Sequence, residues 1–290
     1  MKLRRSVALV SASLIAATGL VACSNSSDSS DQTTVKIGTT DGSKKSWKVF
    51  EDKAKEAGIK FDIKNFSDYS TPNDALAQDQ LDVNLFQHLK FLAEYNVGKN
   101  ADLTPVGATE IVPLALFWKD HTSLDGIEGK SVAIPNDPSN QGRAINVLVQ
   151  AKLITLKKEG LITPAPSDVD EAKSKVKLTP VDAAQTTTAY GEGTPAIINN
   201  SFLDRAGIDP KLSVFQDDPT SAEAEPYINA FVTKAEDKDD ANIAKLVEIW
   251  HSKEVQDAVA EDSKGTSVPV QRTAEELKKI LDRLEADQKK

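Results

Sequence analysis

Arg143 is placed to hold a charged small molecule. It closes the run Asn136-Asp137-Pro138-Ser139-Asn140-Gln141-Gly142-Arg143, in which the end of a strand meets a helix opened by cap-forming residues. Backbone N–H groups at such a junction offer a site for an anion, and a first-turn arginine adds a bidentate fork suited to a carboxylate. The same residues also fit a capped surface helix with a solvated arginine. Phe86-Gln87-His88 with Phe91 puts three rings within six residues, and Tyr69 follows a strand in the same way. Such rings suit a pocket for an apolar or thioether side chain, because sulfur packs well against aromatic edges, and they suit a core equally well. Asn199-Asn200 ends an apolar strand, where an amide needs a partner: a ligand ammonium is one, a turn is another.

Other chemistry lacks residues to perform it. Gly129-Lys130-Ser131 has the ending of a phosphate-binding loop, but its first glycine would fall at Leu124, so a turn from Gly126 to Gly129 is the better reading. There is no G-x-S-x-G elbow and no G-x-G-x-x-G after a strand. A single cysteine and three histidines (His88, His121, His251) leave no disulfide and little for a metal, so neither a cofactor nor metal catalysis is expected. The 44 acidic against 35 basic residues, a formal charge of −9, argue against a nucleic-acid partner. At 39% hydrophobic and 27% charged residues, the 290-residue chain has the composition of a soluble globular protein with room for two domains.

The elements that must position these residues alternate between strand and helix. Val35 to Gly38 reads as a strand, and Trp47, Phe50, Ala54 and Ala57 recur at helical spacing up to Gly58. Ile59 to Phe66 alternates as a strand does. Thr71-Pro72 supplies an N-cap and N1 proline for a helix through Gln80, and the strand Leu81 to Leu85 follows. Further strands are predicted at Ile111 to Trp118, Ser131 to Ile134, Val176 to Leu178 and Ala196 to Ile198. Helices are predicted at Asn140 to Leu153, at Asp240 to Val259, and over a last stretch with Leu277, Ile280, Leu281 and Leu284 on one face. The class is α/β. Breaks at Ile111-Val112-Pro113 and Glu225-Pro226-Tyr227 suggest a chain that leaves one domain, builds a second and returns. That predicts one lobe from 35–112 plus 227–290 and another from 113–226, with a cleft between them.

The N-terminus reads as an address. Lys2, Arg4 and Arg5 precede an apolar stretch from Ser6 to Val21, too short for a comfortable membrane span and right for a signal peptide. It ends Leu20-Val21-Ala22-Cys23, which resembles a bacterial lipobox and implies diacylglyceryl attachment to Cys23 after cleavage of residues 1–22. The Ser/Asp-rich run behind it reads as a flexible tether over 23–34. Losing three positive charges with the leader takes the net charge from −9 to −12. The expected product is extracytoplasmic and lipid-anchored to the bacterial cell membrane.

Together these stretches resemble the methionine-binding lipoprotein family (MetQ and NlpA-like), the substrate-binding components of methionine ABC importers. The residues carrying the resemblance are Phe66-Ser67-Asp68-Tyr69 with Pro72 to Leu76, Asp82 to His88, Pro135 to Asn140 with Arg143, and Ala183-Ala184-Gln185. It implies a two-lobed periplasmic-binding-protein fold (type II-like), monomeric, that closes on methionine or a related amino acid and hands it to an ABC permease without chemistry. On that basis Tyr69, Phe86, His88 and Phe91 would surround the side chain, Asn140 and Arg143 would hold the carboxylate, and Asn199 and Asn229 would meet the amino group. The chain departs from the family at Phe91, usually tyrosine, and at Asn199-Asn200-Ser201-Phe202, usually asparagine-x-asparagine-tyrosine. Those changes remove a hydroxyl and an amide from the wall, which leaves a related amino acid open. A surface lipoprotein acting as adhesin or scaffold would share the lipobox but need no closed polar cleft, and an extracytoplasmic hydrolase is a third reading.

Overall fold

The computed structural model describes residues 33–289; the signal peptide, Cys23 and nearly all of the tether lie outside them. The first half runs β1 (Thr33–Thr39), α1 (Lys45–Glu56), β2 (Ile59–Asn65), α2 (Pro72–Ala77), β3 (Val83–His88), α3 (Leu89–Lys99), β4 (Leu103–Ala108), β5 (Glu110–Ile111), β6 (Ala115–Phe117), β7 (Ser131–Pro135) and α4 (Pro138–Gln150). The second half runs β8 (Lys177–Val181), α5 (Thr186–Gly191), β9 (Ala196–Ile198), β10 (Ser213–Gln216), β11 (Asn229–Lys234), α6 (Ala241–Trp250), α7 (Lys253–Asp262), β12 (Val268–Pro269) and α8 (Ala274–Gln288).

Two five-stranded sheets result, ordered β2-β1-β3-β11-β4 and β10-β6-β9-β7-β8. In each, four strands run the same way, three of them in adjacent parallel ladders as the βαβ pattern predicts, and a single strand, β11 in the first sheet and β6 in the second, runs against the rest. The first sheet takes its last strand, β11, from a return of the chain, while all five strands of the second come from residues 115–216. Both sheets are covered on both faces by apolar side chains. Phe50, Trp47 and Trp250 pack on one face of the first sheet, and Leu277, Ile280, Leu281 and Leu284 of α8 pack with α3 on the other. Ile145 and Leu148 of α4 cover one face of the second sheet, and Phe202 and Leu203 the other.

Several expected elements differ, each for a local reason. The strand expected over 111–118 is two short strands in different sheets, interrupted at Pro113, which has no N–H to give a ladder. The helix expected over 240–259 is α6 and α7, broken where Ser252 turns extended (ψ 151°) and the His251 ring bonds the Ala108 carbonyl at 2.9 Å. The helix expected through Gln80 stops at Ala77, and Asp79 turns left-handed (φ 59°) to start the next strand. That strand runs past Leu85 to His88, so Phe86-Gln87-His88 belongs to β3. Gly126 and Gly129 take positive φ and Gly129 N–H donates to Lys175 O at 2.7 Å, so this stretch is a turn feeding β7.

One irregularity positions the site. Between Asn84 and Gln87 three steps of β3 oppose the two from Ala230 to Val232 on β11, a bulge that brings Asn84 and Gln87 onto one face. There they close a buried amide network with Asn73 of α2: Asn73 and Gln87 bond reciprocally at 2.8 and 2.6 Å, and Asn84 donates to Asn73 Oδ1 at 3.0 Å. The network explains why Pro72-Asn73-Asp74 and Asn84-Leu85-Phe86-Gln87-His88 belong together. His88, at the strand's last position, faces Asn229 across the ladder.

Candidate ligand-binding site

All eight side chains singled out for ligand contact, Tyr69, Phe86, His88, Phe91, Asn140, Arg143, Asn199 and Asn229, line one cavity between the two sheets. Its volume of about 70 Å³ is room for roughly five to seven waters at 10–15 Å³ each, the scale of a small amphipathic molecule.

One wall is aromatic. Tyr69 lies 6.0 Å from both Phe86 and Phe91, those two are 5.8 Å apart edge-on, and Phe202 backs Tyr69 at 4.9 Å. Burial drives the Tyr69 hydroxyl's pKa up, so it stays neutral. Another part of the lining is made of amides and an imidazole, the His88 ring standing 6.3 Å from that of Phe91. His88 caps α3 by accepting from Phe91 N–H through Nδ1 at 3.1 Å, so its proton sits on Nε2, 3.3 Å from Asn140 Oδ1. Desolvation and the nearby Arg143 charge push the His88 pKa down to about 3. Asn140 Oδ1 also receives Asn199 Nδ2 at 2.8 Å, while Asn140 Nδ2 donates to Asp137 Oδ1 at 2.9 Å. Asn229 Nδ2 donates to Glu110 O at 3.2 Å.

Two expectations for the Asn136 to Arg143 stretch need correction. The N-terminus of α4 is not open to an anion, because Asp137 Oδ1 accepts Asn140 N–H at 3.0 Å and fills it. Nor is the Arg143 fork free: its Nε donates to Asp217 Oδ2 at 2.7 Å, and Nη2 to Asp217 Oδ1 at 3.2 Å and Val112 O at 2.9 Å. The guanidinium also sits 4.1 Å from the Tyr227 ring centre. That leaves Nη1 as the nitrogen with no hydrogen-bond partner among the described residues.

The sequence reading missed the third part of the lining, Asp41, Lys44, Trp47, Glu110 and Trp250, and the residues behind it, Asp217 and Tyr227. Lys44 Nζ lies 3.1 Å from Asp41 Oδ1 and donates across the cleft to Asn200 Oδ1 at 3.0 Å. Arg205 spans the same gap, reaching Ser67 O at 3.1 Å and Thr40 O at 3.2 Å, and Lys264 pairs with Asp209 at 2.6 Å. These bonds hold the two sides together over the cavity. Among the described residues no group of three or more His, Cys, Asp or Glu is placed to hold a metal ion, and no helix is long and apolar enough to cross a membrane.

Two α/β lobes joined by crossovers and clasped over a small cavity, part aromatic and part polar, define a substrate-binding protein of the two-lobed class. A family model described as NlpA lipoprotein matches residues 35–271, and the chain belongs to that family. It is 32% identical over 264 residues to the D-methionine-binding lipoprotein MetQ of Escherichia coli K12, covering 88% of this chain and 94% of the relative. Among solved structures, protein PG110 from Staphylococcus aureus matches at 37% identity and a TM-score of 0.81, covering 86% of this chain and 99% of that one. A nutrient binding protein from Burkholderia cenocepacia, solved bound to methionine, matches at 32% identity and a TM-score of 0.74, covering 81% of this chain and 99% of that one.

Proposed function

We propose that this protein captures methionine, or a closely related amphipathic amino acid, outside the cytoplasmic membrane and delivers it to an ABC importer. The observation that carries the reading is the convergence of Tyr69, Phe86 and Phe91 with His88, Asn140, Asn199, Asn229 and Arg143 on one cavity between the lobes. The aromatic wall suits a thioether, the Arg143 Nη1 suits a carboxylate oxygen, and the amides orient the remainder. The lobes divide as 35–112 plus 227–290 and 113–226, with the crossovers at Val112-Pro113 and before Tyr227 as hinges. The protein acts as a monomer held to the membrane by acyl chains on Cys23, and binding is its whole task, with no bond made or broken.

Ligand-stripped protein should bind L- or D-methionine in calorimetry, and a hundredfold excess over Kd stabilises the native state by about 2.7 kcal/mol, a melting shift of several degrees. No response to either enantiomer or to any other amino acid, on protein shown empty by mass spectrometry, would favour the adhesin or scaffold reading. For the anchor, Cys23→Ala should leave the detergent-extractable membrane fraction or accumulate as precursor; a processed, membrane-bound mutant refutes that assignment.

A further inference from the structure

Three buried acceptors on residues that line the cavity make no hydrogen bond among the described residues: Asp41 Oδ1, which has the Lys44 ammonium beside it at 3.1 Å, Glu110 Oε2 and Asn199 Oδ1. Glu110, the first residue of β5, lines the cavity; its Oε2 is buried without a well-formed hydrogen bond among the described residues, and the neutral donors near it, the Thr109 hydroxyl and the Trp250 indole N–H, are themselves unbonded and only oppose the rise in its pKa. Asn199, on the other lobe and only 8% exposed, spends its Nδ2 on Asn140 Oδ1, and its own Oδ1 is likewise buried without a partner. Unmet acceptors in a buried site are costly, a carboxylate oxygen most of all, and the group that satisfies several at once is a primary ammonium with three N–H donors.

The other charges around the cavity already have partners. Arg143 is paired with Asp217, Lys44 with Asp41 and Asn200, and His88 is neutral. Asp262 joins Asp41, Lys44 and Glu110 around an adjoining small recess, where it accepts Ser46 N–H at 2.7 Å. Glu110 is therefore the charge for which the cavity supplies no bonded counterpart.

Resting on the reading of this cavity as an amino-acid site, we propose that Glu110 is the counter-charge for the ligand's α-ammonium, with Asn199 Oδ1 as a second acceptor. Glu110 thus selects for ligands that carry an amine beside the carboxylate held at Arg143. In the empty protein a proton takes the ammonium's place: burial, opposed by Lys44 and reinforced by Asp41, raises the Glu110 pKa to about 7. Binding then expels that proton. Affinity should rise with pH below about 7, approaching tenfold per unit, because the ammonium binds the ionised form alone.

Three measurements test the assignment. Calorimetry of wild-type protein with L-methionine at pH 6, in buffers of differing ionisation enthalpy, should show release of close to one proton, and Glu110→Gln should show none. Glu110→Gln should bind L-methionine roughly 10- to 150-fold more weakly, the range for a charge-assisted bond. It should bind the des-amino analogue methylthiobutanoate at least as well as wild type does. Equal losses for both ligands, affinity for L-methionine within twofold of wild type, or no proton release from the wild-type protein would each overturn the proposal. Wild-type protein that binds no methionine at all would instead overturn the functional reading on which it rests.

Discussion

Removing Arg143 tests stability and binding together, because this residue is paired with Asp217 in the structure and is proposed here to hold the ligand's carboxylate. Its side chain is 4% exposed and that of Asp217 is 13% exposed, so Arg143→Ala strands a carboxylate that has little water to turn to. Breaking a fully buried pair from one side costs about 3–5 kcal/mol. Asp217 keeps some solvent and still accepts Leu114 N–H at 2.9 Å, which reduces the expected loss to about 2–4 kcal/mol, or a melting point lower by about 5–15 °C. The affinity loss for L-methionine from the missing Nη1 contact is about 10- to 150-fold. The double variant Arg143→Ala/Asp217→Asn separates the two effects. It removes the stranded charge, so it should regain at least about 1 kcal/mol of stability through the coupling between adjacent sites, yet recover no affinity. Asp217→Asn alone leaves the guanidinium charge undivided and should bind the carboxylate at least as tightly as wild type. Thermal melts and calorimetry on all four proteins decide the matter. A double variant that regains affinity would show that Arg143→Ala loses binding through disorder around Asp217, and an Arg143→Ala melting point within 1 °C of wild type would refute the structural role of the pair.

Three further outcomes are expected. Because the folded pKa of Glu110, about 7, lies above its ordinary 4.5, the empty protein keeps a proton that the unfolded chain gives up. Its stability should therefore fall as pH rises from about 4.5 to 7, by on the order of 3 kcal/mol, and Glu110→Gln should flatten that fall in melting curves taken across the range. Arg205→Ala removes two bonds across the cleft, so the closed state should lose population and L-methionine affinity should drop by about 2- to 10-fold; an unchanged Kd with unchanged small-angle scattering would show that Arg205 does not clasp the lobes. L-norleucine should bind about 2- to 10-fold more weakly than L-methionine, since it lacks the sulfur that is proposed here to pack on Tyr69, Phe86 and Phe91, and equal affinity would remove the thioether argument for that wall.

The parts of this protein legible in its sequence are those set by short-range periodicity. The helical spacing of Trp47, Phe50 and Ala54 and the α8 stripe from Leu277 to Leu284 are buried as their pattern predicts. β9, Ala196–Ile198, has the bounds that its apolar run suggests. Less legible were segments whose pairing depends on distant chain. β4 carries Pro105, which no strand pattern favours, and is held beside β11 by a register that reaches across more than a hundred residues. β11 itself offers only a short apolar run, yet it sets Asn229 opposite His88 and, through the bulge in β3, fixes where Gln87 and Asn84 point.

The same divide runs through the site. Seven of the eight lining residues could be singled out from junctions of strands, helices and turns, where an α/β cleft collects side chains, and Asn229 only through the family resemblance. Their partners could not. Asp217 is 74 positions from Arg143 and sits in a crossover without a motif, so nothing local signals that the fork is already occupied. Glu110 is one residue of a two-residue strand, and on sequence alone it is one acid among 44. What distinguishes it is a property that sequence does not carry: among the charged side chains around the cavity it is the one left without a bonded opposite charge. A binding site is specified as much by the valence its walls leave unfilled as by the residues that form them. Here that unfilled valence, an anion on one lobe and an amide oxygen on the other, has the chemistry of an amine's complement.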